Sequence, residues 1–253
     1  MKTPKELDFP GTIARGAKGK KARLVQEWLC LNGHSVSVDN DYGPATQAAV
    51  SAFQAGAGIN TSGRVTRATF DALTAPMHQA LAPLANAPTD LNAAVVAVAN
   101  QHLAVHPREV GGQNRGPWVR LYMDNNEGNA WPWCAGFVSL VIRQACAAVG
   151  RSLPFPKTYS CDVLASQGKE RDLFVRGKDV DAATAVLALP PGTVFLNRRV
   201  ANDWTHTGFV LEADRETFST IEGNTNDEGS REGYEVCART RGYAKKDFVR
   251  VDG

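Results

Sequence analysis

No stretch of this 253-residue chain approaches the ~18 consecutive apolar residues of a membrane helix, so stable membrane insertion is not expected. Net charge is nearly absent too. The 28 basic and 26 acidic side chains leave +2, too little for an electrostatic case for nucleic acid. Met1 to Lys20 carries no apolar core, so a Sec-type leader is not expected and the chain reads as made in a cytosol. Neither G-x-G-x-x-G nor G-x-x-x-x-G-K occurs, which leaves nucleotide chemistry without support. Metal-ligand patterns are equally thin. His102 and His106 stand four apart with no third or fourth ligand nearby, and Asp124 to Glu127 lacks the spaced oxygens of a calcium loop. No metal and no cofactor are expected. Five cysteines, an odd number, argue for reduced thiols and leave room for a reactive one.

What is present is an ordinary globular composition, 43% apolar and 21% charged, long enough for one or two domains. Residues 1–74 read as three short helices. Leu24, Trp28 and Leu31 recur at helical spacing before a stop at Gly33. Pro44 suits the first position of a second helix, with Val50 and Phe53 on its buried face. A third is expected from about Thr66 to Leu73. Thr46 before Ala49-Val50 and Thr69 before Phe70-Leu73 form a faint internal echo. Residues 75–90 hold Pro76, Pro83 and Pro88 among alanines and read as a semi-stiff linker.

Residues 91–253 are helical first and strand-rich later. Helices are expected over Leu91 to Ala104, around Trp118 to Tyr122, over Cys134 to Val149 with Gly150 as its stop, and after Ser160. From Gly192 the apolar period falls to two. Strand candidates are 193–196, 206–211, 218–222, 234–239 and 248–251, separated by Asn, Asp and Gly clusters. Helices followed by a run of short strands indicate an α+β domain with an antiparallel sheet.

The chemistry concentrates in three places. Trp131-Pro-Trp133-Cys134 ends a loop, and Cys134 opens the most apolar helix. A thiol at a helix start feels the positive end of the dipole and free N–H groups, so its pKa falls below the ~8.5 of an ordinary Cys. A buried, inert Cys is the plain alternative. His206 starts a strand and shares a face with Gly208. Glu222 and Asn224 project from one face of the next strand. If the two strands form a hairpin, either side chain reaches His206 and supplies the third group that a Cys–His pair requires. Trp133 and Trp204 flank the Cys and the His in sequence and are candidates for lining a substrate cleft, with packing as the alternative.

Trp133-Cys134-Ala-Gly-Phe-Val, His206-Thr-Gly-Phe-Val and Ile-Glu222-Gly-Asn224, in that order, resemble the signature of the CHAP family, cysteine- and histidine-dependent amidohydrolases and peptidases with a papain-like core. The resemblance covers about 120–225. It implies Cys134 as nucleophile, His206 as general base, Glu222 orienting or charging the His, and Asn224 assisting the His or the oxyanion. Some members bind calcium upstream of the Cys, and no match for that site is found here.

Val25-Gln26-Glu-Trp28-Leu29, Asn32-Gly33, Asp39 to Thr46, Ala49-Val50, Phe53-Gln54, Gly63 and Thr69 resemble a peptidoglycan-binding domain of type 1, over about 15–73. Together the two resemblances imply a wall-binding module followed by an amide hydrolase, similar to a phage endolysin of a Gram-negative host. They imply peptidoglycan as partner, a monomer, and release to the periplasm through a holin-type pore. A secreted bacterial effector fits the same sequence. The bond cut is either the muramoyl–alanine amide or a peptide bond of the stem or cross-link. The alternatives are a papain-like protease acting on proteins and a non-catalytic wall-binding protein.

Overall fold

The computed structural model describes residues 3–180, 189–226 and 233–252. Seven α-helices lie among these residues, and a single six-stranded antiparallel sheet follows them, the α+β architecture expected. The chain divides into two compact units. One holds the described residues up to Ala80 together with Arg108–Asn129. The other holds Leu81–Pro107 and the described residues from Ala130 onward.

The first unit is built on helices α1 (Lys20–Leu31), α2 (Pro44–Gly56) and α3 (Arg67–Leu81). Trp28, Leu29, Val50, Phe70 and Leu73 are buried in it. Two buried glutamines fix its loops. Gln26 Nε2 donates to Asp39 Oδ1 (2.7 Å) and to Thr46 Oγ1 (3.1 Å), while the Asn40 N–H donates to its Oε1. Gln54 Nε2 donates in the same way to the Arg64 carbonyl (2.8 Å) and Thr69 Oγ1 (2.9 Å), and the Gly63 N–H donates to its Oε1. The echo at Thr46 and Thr69 is therefore one hydrogen-bonding device used twice. A primary amide offers two donors and an acceptor, enough to satisfy a loop's backbone groups away from water.

Two expectations are corrected here. The linker does not begin at residue 75, because α3 continues through Pro76 to Leu81 and buries Met77 and Ala80. Burial on one face outweighs the backbone hydrogen bond that Pro76 forgoes. Arg108–Asn129, read from sequence as part of the later domain, belongs to the first unit. It carries α5 (Pro117–Tyr122), which sets Trp118 edge-on to Trp28 at 6.3 Å between ring centroids. Arg120 of α5 forms ion pairs with Glu6 (2.7 Å), Glu27 (2.6 Å) and Glu127 (2.8 Å). Arg23 pairs with Glu27 and Glu127 in turn. Glu127, which sequence placed in an acidic run, is thus held between guanidinium groups.

In the second unit, α4 (Leu91–Ala104) packs on α6 (Cys134–Val149). Asp90 caps α4 by accepting from the Ala93 N–H, and Gly150 ends α6 in the left-handed region. Helix α7 (Cys161–Lys169) is capped by Ser160. The strands are β1 (Phe174–Arg176), β2 (Val194–Val200), β3 (Asp203–Ala213), β4 (Thr217–Thr225), β5 (Glu235–Gly242) and β6 (Lys246–Val249). Their order is β1-β6-β2-β3-β4-β5. Phe195, Val210, Phe218 and Phe248 fill a core within the unit. Helices α6 and α7 both contact β3, which brings two helix N-termini to the His-bearing strand.

Candidate active site

Strands β3 and β4 form the hairpin on which the sequence argument depended, with Gly208 opposite Glu222. His206 lies two residues before Gly208 on the same face, diagonal to Glu222. His206 Nε2 stands 2.7 Å from Glu222 Oε2. The hairpin needs glycine at 208. A Cβ there would meet the Ile221 carbonyl oxygen at 2.7 Å and Glu222 Cγ at 2.8 Å.

Glu222 is fully buried, at 0% exposure, and its charge is compensated on three sides. Arg241 of β5 donates to both carboxylate oxygens, at 2.7 and 2.5 Å, and Thr220 Oγ1 donates to Oε1 at 2.6 Å. Burial raises the pKa of Glu222, but the hydrogen bonds and charges of Arg241 and His206 prevail and hold it below the usual carboxylate range. Glu222 is therefore an anion facing the imidazole.

Cys134 is the first residue of α6 and is 5% exposed. His206, whose Nε2 faces Glu222, also acts on Cys134. A second thiol lies beside it: Cys161, first residue of α7, has its Sγ 3.9 Å from Cys134 Sγ. The hydrogen bond with Cys161 lowers the Cys134 pKa most. Burial opposes it, and the bond and charge of His206 and the Ala135 N–H add to the lowering, so Cys134 lies well below an ordinary thiol. Burial works against a charged His206, but hydrogen bonds with Cys134 and Glu222 outweigh it and raise the imidazole to about 9. These directions favour a thiolate beside an imidazolium and a carboxylate near neutral pH.

Asn224 does not take the role expected of it. It adopts φ +56°, and the β4–β5 register shifts between Glu222 and Thr225. The alternation that would have put it on the His206 face is broken. Its Oδ1 instead accepts from the Trp133 N–H (2.9 Å), and its Nδ2 donates to the Gly233 carbonyl (2.6 Å). Asn224 thus anchors the residue preceding Cys134, and the Trp133 N–H is spent on that bond.

The tryptophan expectation is corrected as well. Trp133 is 0% exposed and Trp204 6%, so neither offers a face to a cleft. Trp133 lies over Gly223, where a Cβ would meet its Cζ3 at 2.9 Å. Trp204 donates from Nε1 to Asp247 (3.0 Å), and its ring carries the Lys169 ammonium at 4.6 Å. Both indoles secure the elements that hold Cys134 and His206.

Sequence reasoning missed Cys161, Arg241 and Thr220. Cys161 carried a usable signal, since it follows a Ser cap and opens a helix as Cys134 does. Arg241 carried none, because its partner is set by the β4–β5 register. Cys146 is buried along α6, and Cys237 stands opposite Glu222 in the β4–β5 register. Among the described residues no group of three or more His, Cys, Asp or Glu side chains is placed to hold a metal ion.

Comparison with known proteins bears on the first unit. A search of curated proteins finds no match to this chain. A solved structure of a peptidoglycan-binding protein from Clostridioides difficile, in complex with glutamine hydroxamate, is similar at 35% identity over 24% of this chain, with a TM-score of 0.24. The match spans 39% of that protein's length. Residues 18–73 match the family model described as "Putative peptidoglycan binding domain". They contain α1, α2, the first turns of α3 and both glutamine clamps. Residues 18–73 thus match a peptidoglycan-binding domain of type 1.

Proposed function

We propose that this protein is a peptidoglycan hydrolase that cleaves an amide bond of the wall through Cys134, His206 and Glu222, in the manner of a papain-like CHAP enzyme and with the modular plan of an endolysin. The observation that carries this reading is Cys134 at a helix start, with His206 lowering its pKa and buried Glu222 at 2.7 Å from His206 Nε2. It stands in a chain that also bears a peptidoglycan-binding domain.

The chemistry follows from the charges. Cys134 Sγ attacks the amide carbonyl carbon, a C–S bond forms, and the oxygen becomes an oxyanion. The N–H groups left free at the α6 start point toward that developing charge. As the C–N bond breaks, imidazolium His206 gives its proton to the departing nitrogen and an amine leaves. Neutral His206 then takes a proton from water, the resulting hydroxide equivalent attacks the thioester, and a carboxylic acid leaves as the Cys134 thiolate returns. Glu222 stabilises the imidazolium throughout.

Glycosidic cleavage would ordinarily use two carboxylates flanking the sugar bond. Among the described residues Glu222 is the carboxylate that faces His206, and it is committed to His206 and Arg241. Digestion of purified sacculi is therefore expected to release new amino groups in step with lysis and no new reducing ends. Reducing ends that rise while free amines stay flat would contradict the assignment. The muramoyl–alanine amide and the stem or cross-link peptide bonds all satisfy this chemistry.

A further inference from the structure

Cys161 plays no part in the reaction just described, yet it lies beside the reacting sulfur. Its Sγ lies 3.9 Å from Cys134 Sγ. Both residues are buried, and each is the first residue of a helix. The two helix starts thus converge on one pair of thiols. A thiol pair this close shares one negative charge more easily than two, because like charges at short range repel. The neighbours decide which sulfur holds it. Cys134 faces His206, whereas Cys161 is followed by Asp162, whose carboxylate accepts from the Trp204 N–H at 2.7 Å. The cation lies on the Cys134 side and the anion on the Cys161 side.

We propose that Cys161 is a positioning residue for Cys134: its S–H donates to the Cys134 thiolate and holds that sulfur, charged and oriented, at the start of α6. The inference rests on the reading of Cys134 as a nucleophile. The directions of the two acidities agree with it: Cys134 is lowered well below an ordinary thiol and Cys161 raised well above, each with the other as the largest cause. Other charged groups do not supply the same effect. Glu222 is bonded to His206 and Arg241 rather than to Cys134. His102 of α4 meets Gln144, ten residues along α6 and about 15 Å from its start.

The full-length protein tests this by peptide-resolved mass spectrometry of iodoacetamide labelling, following the Cys134 peptide alone from pH 4 to 10. In the parent, labelling of Cys134 is expected to reach half its maximum well below the ~8.5 of an ordinary thiol. In Cys161→Ala the half-point should rise by about one pH unit, a roughly tenfold loss of thiolate on the acid side. Turnover on wall fragments should fall with KM unchanged. Cys161→Ser keeps an O–H donor and should restore most of the shift. A residue that merely packs would lower the melting temperature in both variants without moving the half-point. A low parental half-point that Cys161→Ala leaves in place overturns this inference alone, as does an equal shift in the Ala and Ser variants. A parental half-point near an ordinary thiol's overturns the reading of Cys134 as nucleophile.

Discussion

The acid–base behaviour of the site is set by who faces whom at three residues. Glu222 has both oxygens occupied, by His206, Arg241 and Thr220, so it remains an anion across the physiological range. His206, raised to about 9, is charged at neutral pH beside a Cys134 held below the ordinary thiol value. Turnover should therefore be flat through neutrality. It should fall above about pH 9, where His206 loses the proton the leaving amine needs. Glu222→Gln removes the charge that sustains the imidazolium. The basic limb should then move toward the ~6.5 of an unperturbed His, with turnover lower by at least about tenfold. A pH–rate profile of parent and variant checks both expectations. Cys134 was legible in the sequence because a helix start is a local feature, whereas His206, expected at a strand start, lies three residues inside β3. The choice between Glu222 and Asn224 was not legible, because it depends on a positive φ at Asn224 that breaks strand alternation.

At the scale of elements, most helices and strands were legible from period and caps. Gly33, Gly150 and Ser160 mark real ends. The exceptions have local causes. Pro76 was read as a break, yet Met77 and Ala80 are buried and carry α3 past it. Strand β1 has three residues, too few to show a period. The α4–α6 contact contains a group whose titration matters. His102 is 0% exposed, hydrogen-bonded to Gln144 Oε1 at 2.8 Å and edge-on to Phe137. Burial depresses its pKa to about 4. The unfolded chain, with His near 6.5, binds a proton between those values that the folded chain refuses. Stability is thus complete above about pH 6.5 and is lost as pH falls toward 4, by up to about 3 kcal/mol. Urea unfolding at pH 7 and pH 4.5 should show this loss in the parent and a smaller one in His102→Gln.

At the scale of the whole molecule, a boundary drawn from composition and one drawn from packing differ, and the difference has an energetic reason. The sequence places a break near residue 75, where prolines cluster. The first unit nevertheless includes Arg108–Asn129, whose Arg120 meets Glu6, Glu27 and Glu127. Glu27 is fully buried, so without Arg120 its charge keeps Arg23 alone as a partner among the described residues. Arg120→Met should therefore destabilise the full-length protein by about 3–5 kcal/mol, the range for removing one member of a buried ion network. Chemical denaturation measures it, and a change within about 0.5 kcal/mol would place the network among surface pairs of little consequence. None of this was legible in the sequence, since the partners lie 93 and 114 residues apart.

The central claim is that one sulfur cuts the wall while a separate domain binds it. Full-length Cys134→Ala, mixed with purified sacculi, reports on both halves at once. The account predicts that the variant sediments with the sacculi as the parent does and releases no free amines above background. Amine release by the Ala variant at more than a few per cent of the parent rate would contradict it.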